Sequence, residues 1–119
     1  MRKFFFLGLL IVAGCSNPDK IPDDILGYDK MKFIVWDLIN AGEYAKMRIP
    51  LDSAAQVKDQ TKLYFLEIFK RYDVTKDEFY KSYHYYEAHP DKNKVLMDSV
   101  SNLAQRKRTE EYNTIKRIE

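Results

Sequence analysis

The chain has one cysteine, one tryptophan, four glycines and four prolines among its 119 residues. A single cysteine excludes an intramolecular disulfide and every multi-cysteine zinc site, so the fold must rest on apolar burial. Two of the four glycines, Gly8 and Gly14, fall within the first fifteen residues. No glycine-rich loop is left to cradle a phosphate, and no serine sits in a glycine-flanked elbow. Long hydrophobic runs are also missing. The longest, residues 4–13, is ten residues of Phe, Leu, Gly, Ile, Val and Ala; as a helix it reaches about 15 Å, roughly half of a bilayer's ~30 Å hydrocarbon core. There is little surplus charge of either sign. Twenty basic residues face 18 acidic ones, and without Arg2 and Lys3 the two are equal. Electrostatic attraction to nucleic acid or anionic lipid therefore has no basis. The run Arg106-Lys107-Arg108 is followed at once by Glu110 and Glu111, the pattern of a solvated helix face.

What is present begins with a signal. Arg2 and Lys3 precede the apolar run, and the run ends in "VAGC", with small Ala13 and Gly14 before Cys15. This reads as a secretion signal, and its end resembles the lipobox of bacterial lipoproteins. The resemblance implies a diacylglyceryl thioether on Cys15, cleavage between Gly14 and Cys15, and acylation, typically with palmitate, of the new amino terminus. Each buried CH₂ is worth about 0.8 kcal/mol, so one acyl chain is a marginal anchor and two or three hold lastingly. The expectation is a mature chain, residues 15–119, attached to a membrane without spanning it.

After Cys15, residues 16–28 read "SNPDKIPDDILGY", punctuated by Pro18, Pro22 and Gly27. The expectation is a short flexible tether reaching at most about 43 Å. The remainder has helical periodicity. Asp29 can cap a first helix with Met31, Ile34, Val35, Leu38, Ala41 and Ala45 on one face. "RIPLDS" breaks the pattern at Pro50, and Ser53 can cap a second helix marked by Val57, Thr61, Tyr64, Phe65, Ile68, Phe69 and Tyr72. Thr75 and Glu78 have capping-box spacing before a third helix, which must stop near His89 because Pro90 follows. A fourth runs from about Asp91, thinly apolar after Leu103. The fold class expected is all-α, a bundle of about four helices over residues 29–119, behind a signal peptide (1–14) and a lipidated tether (15–28).

"IPDDILGYDKMKFIVWDLINAGEY" and "IFKRYDVTKDEFYKSYHYYEAHPDK" together resemble the Bacteroidota lipoproteins grouped as domain-of-unknown-function family 4296. The resemblance covers about residues 21–91, and its most specific part is the block around His89-Pro90. It implies a lipid-anchored envelope protein and brings no catalytic residues with it. The expected location is the outer membrane, with the periplasmic face favoured over the cell surface.

Three groups of residues bear on chemistry. His84, Glu87 and His89 lie within six residues, and His84 with Glu87 shares a helix face. His89, five residues from His84, falls off that face, so no metal site and no cofactor is expected. The carboxylate pair Asp23-Asp24 sits in the expected tether and Asp77-Glu78 in a helix's first turn, where acidic residues favour the helix dipole. No enzyme is expected. Tyr80, Tyr83, Tyr85 and Tyr86 share one short helix and cannot all face inward. With His84 they form the candidate partner-binding face, since tyrosine is enriched in binding hot spots. The function expected is a non-catalytic, membrane-tethered subunit that binds another envelope protein in an assembly or secretion complex. The alternative is a periplasmic small-ligand or metal-binding module centred on His84 and Glu87.

Overall fold

A computed structural model describes residues 20–48 and 53–118. Gly14, Cys15, the cleavage point and the break at Pro50 lie outside these residues. The described chain forms four α-helices, α1 (Tyr28–Arg48), α2 (Ala54–Arg71), α3 (Lys76–Ala88) and α4 (Pro90–Ile118). The all-α bundle is as expected. Among the described residues, no helix is long and apolar enough to cross a membrane.

Local chemistry sets the helix ends. Gly27, rather than Asp29, precedes α1, and its carbonyl accepts from the Met31 amide; Asp29 lies inside the first turn and bonds Lys32 instead. Ser53 stands at the N-cap of α2 without a side-chain cap bond. At the other end of α2, the Val74 amide reaches the Phe69 carbonyl and the Asp73 amide the Lys70 carbonyl, with Asp73 at φ 54°. This is a Schellman stop. The capping box of α3 forms as its spacing demands: the Thr75 side chain accepts from the Glu78 amide, and Glu78 accepts from the Thr75 amide. A single residue, His89, separates α3 from α4. Its carbonyl accepts from the Asn93 amide, and Pro90 takes the first helical position, where a missing N–H costs nothing.

The core joins Met31, Ile34 and Leu38 of α1, Ile68 and Phe69 of α2, Phe79 and Tyr86 of α3, and Leu96 and Val100 of α4. α1 and α2 run antiparallel, since Asp37 meets Tyr72 while Tyr44 meets Tyr64. The helices touch in the order α2, α1, α4, α3 and back to α2, and no Cα of α1 comes within 8 Å of one of α3. These two stand on the diagonal of the ring, with space between them.

The described part of the expected tether lies on the body. Ile21, Ile25, Leu26 and Tyr28 pack against the core. A turn closes from the Ile25 amide to the Pro22 carbonyl, and both backbone groups of Leu26 are taken by α3. Its N–H donates to Ser82 Oγ at 2.9 Å, and its carbonyl accepts from the Tyr86 hydroxyl at 2.7 Å. Asp24 adds an ion pair with Lys81, whose hydrogen bond holds the carboxyl below its usual value. The strap is ordered by these distant partners. At the other terminus every side chain from residue 105 to 118 is exposed, so the last half of α4 projects from the bundle.

Candidate functional site

α3 carries the residues singled out above, and the structure divides them. Its buried seam is Phe79, Ser82 and Tyr86, spaced at three and four residues so that they share a face. Tyr86 is 1% exposed, its ring 5.7 Å from that of Tyr28. Burial pushes its phenol up to about 12. Tyr86 therefore belongs to the core and the strap, not to a partner-binding face. Tyr85 is half-buried, stacked on the His89 ring at 4.1 Å. The His89 Nδ1 lies 2.6 Å from the Tyr85 carbonyl. A carbonyl only accepts, so Nδ1 is the donor in this contact.

Tyr80 and Tyr83 remain on the outside, 37% and 41% exposed. Both pack on Phe79, Tyr80 edge-on at 5.3 Å and Tyr83 stacked at 6.0 Å, while Phe79 itself rests on Phe69 at 4.9 Å. Core aromatics thus hold these two rings from beneath. The exposed His84 ring sits beside both tyrosines and shares Nδ1 with Glu87 Oε2 at 3.0 Å. Glu87's negative charge beside Tyr83, with partial burial and a hydrogen bond to the same carboxylate, holds that phenol above its usual value.

Tyr80 and Tyr83, with His84 beside them, border an open groove of about 720 Å³ between α1 and α3, which the two tyrosines line. Val35, Leu38, Ile39 and Gly42 of α1 form one wall, Phe79, Tyr80 and Tyr83 the other, and Phe65, Leu96 and Met97 close it. Glu43, Glu87 and Asn93 supply its polar edge. The groove follows from the ring of helices: α1 and α3 face each other across the diagonal, and Gly42 presents no side chain to the gap. Nothing lies within 4 Å of where its Cβ would be. Sequence reading missed Ile39, Gly42 and Met97, because none falls on its helix's main apolar stripe. The only signal was apolar residues left over after the core was counted.

His84 and Glu87 are together as the spacing requires, but His89 is turned to the Tyr85 carbonyl. Among the described residues, no three His, Cys, Asp or Glu side chains gather as a metal site would need. A second polar cluster lies between α1 and α2. There the Tyr72 hydroxyl donates to Asp37 at 2.7 Å, Arg71 lies 3.7 Å from the same carboxylate, and burial together with the Asp37 bond raises the Tyr72 phenol to about 12. Every member of that cluster has a partner within the fold.

In comparison with known proteins, the family model for a domain of unknown function (DUF4296) matches residues 22–110. The match takes in the strap, all of α1, α2 and α3, and α4 to Glu110. No curated protein and no solved structure matches the chain.

Proposed function

The chain belongs to the DUF4296 family, and from that premise we propose that it is a non-catalytic, lipid-anchored outer-membrane protein. It serves by binding another envelope protein, as an accessory subunit of an assembly or secretion complex, with the periplasmic face favoured. One observation carries the binding half of this reading. Tyr80 and Tyr83 stay more than a third exposed, braced on buried rings and set with His84 at the mouth of an apolar groove. Exposed aromatics on a rigid base are what protein hot spots use, because little side-chain entropy is lost when they are covered.

The anchoring half rests on "VAGC" and gains from the strap. With the body starting at Ile21, only six Cα steps separate it from Cys15, about 20 Å at full extension instead of the 43 Å of a free tether. A lipidated chain of this kind holds its helices close to the membrane and limits which face looks outward. Two experiments test the reading. Cys15→Ala should abolish fatty-acid labelling and leave the precursor uncut; unchanged labelling overturns the anchor. Affinity purification of the acylated protein in mild detergent should recover an envelope protein that Tyr83→Ala and His84→Ala lose. Recovery of the chain alone, or equal recovery with the variants, overturns partner binding at this face.

A small-ligand reading has one observation in its favour: the groove's volume lies within the range of small-molecule sites, and Glu87 is at its edge. Native mass spectrometry of the purified protein separates the two, a bound mass lost in Glu87→Ala favouring the ligand.

A further inference from the structure

Two features have no partner within one copy of the molecule. The first is the end of α4. Residues 105–118 continue the helix about 21 Å beyond Ala104 with every side chain exposed. A helix of this length gains little stability in water unless one side is packed. It carries Tyr112, Ile115 and Ile118, each more than half exposed, at three-residue spacing along one side. The second feature is the groove between α1 and α3, with exposed Ile39 and Met97 on its walls.

The two are complementary in charge. Glu43 and Glu87 edge the groove, each with one exposed partner on its own helix, Lys46 and His84, and no Lys or Arg lines it. The projecting segment holds Arg106, Lys107, Arg108, Lys116 and Arg117 against Glu110 and Glu111. They cannot meet within one chain. Met97 lies in the groove wall and Tyr112 follows on the same unbroken helix, about 22 Å further along its axis at 1.5 Å per residue. The segment can reach a groove only in another copy.

We propose that residues 105–118 of one copy dock in the α1/α3 groove of a second copy. Tyr112 and Ile115 lie against Ile39 and Met97, and the flanking basic side chains face Glu43 and Glu87. Exchange in both directions closes a two-fold dimer, whereas one-way exchange gives an open chain. The inference rests on the reading of this region as a protein-binding surface and deepens it by naming the occupant of the groove floor. The rim residues Tyr80, Tyr83 and His84 are left beside the docked helix for the envelope partner.

Disulfide trapping with the mature, membrane-processed protein tests this. Met97→Cys and Ile115→Cys chains are prepared separately, mixed and mildly oxidised, with wild type setting the background from any Cys15 left without lipid. Docking holds the two positions at high effective concentration, so the mixture should give about tenfold more cross-linked dimer than either variant alone. Gly42→Leu in both chains should remove that excess. It places a side chain in the groove where nothing lies within 4 Å of the new Cβ, and it favours the helix. Equal yields from like and unlike pairs, dimer from Ile115→Cys alone, or an excess that survives Gly42→Leu each overturn the proposal. Any of these leaves the rim's capture of an envelope protein to be judged by the His84→Ala purification, so the two readings fail separately.

Discussion

Removing the Tyr86 hydroxyl tests how the strap is held. Tyr86→Phe keeps the ring that packs against Tyr28 and takes away only the bond to the Leu26 carbonyl. Ser82→Ala takes away the acceptor for the Leu26 amide, together with the hydroxyl's own bond to the Glu78 carbonyl. Each change leaves one backbone group of Leu26 unpaired in a partly buried setting, at a cost of about 1–2 kcal/mol. Both act on the same residue, so the double variant should lose less than the two single losses together. Residues 21–26 also cover apolar surface with Ile21, Ile25 and Leu26, so the strap should open more often rather than detach. Amide hydrogen exchange reads this directly. The Leu26 amide should be protected in the wild type and exchange about 5–30-fold faster in Tyr86→Phe, while amides in the middle of α1 change little. A Leu26 amide that exchanges in the wild type as fast as in an unfolded chain refutes the docked strap, and with it the short distance from body to membrane.

Three other outcomes follow from particular residues. The Tyr86 phenol is raised by burial, and that of Tyr72 by burial and its bond to Asp37, each from 10.0 to about 12. A raised folded-state value gives stability that is complete below pH 10 and lost as pH climbs towards 12; for Tyr86 the loss is about 3 kcal/mol. Thermal melts across that window should fall steeply in wild type and less so in Tyr86→Phe. Glu87→Gln should bring the Tyr83 phenol back towards its usual range, seen as earlier tyrosinate absorbance on alkaline titration, because Glu87's charge is the largest cause of the shift. Asp73→Gly should stabilise the fold by about 1 kcal/mol in urea denaturation, since Asp73 sits at φ 54° in the Schellman stop of α2.

The helices were legible because their signals are local. Apolar spacing places Met31, Ile34 and Leu38 on one face of α1, Thr75 and Glu78 are three residues apart, and Pro90 forbids a helical His89. The thin apolar content after Leu103 was legible as well, but it left open whether the end of α4 packs on the bundle or projects. The strap was not legible, because what orders it lies 56 and 60 residues away at Ser82 and Tyr86, and Pro22, Gly27 and a few isolated apolar residues look the same in a free tether. Reading α3 by its tyrosines alone misassigned Tyr86. The buried seam includes Ser82, a polar residue that an apolar count passes over, and once it is included Tyr86 turns inward and Tyr80 and Tyr83 outward. The groove was illegible for a different reason: it is a gap between diagonal helices, made partly by the side chain that Gly42 lacks.

Capture of the envelope partner in living cells is the sharpest test of this protein's role. A photo-crosslinking amino acid at position 88, exposed one helical turn from His84, should trap an envelope protein upon illumination, and the product should disappear in Cys15→Ala cells. The same group at position 58, on α2 and outside the groove lining, should trap none. No product from position 88, or the same products from both positions, would mean that the tyrosine rim of α3 is not where this protein meets its partner.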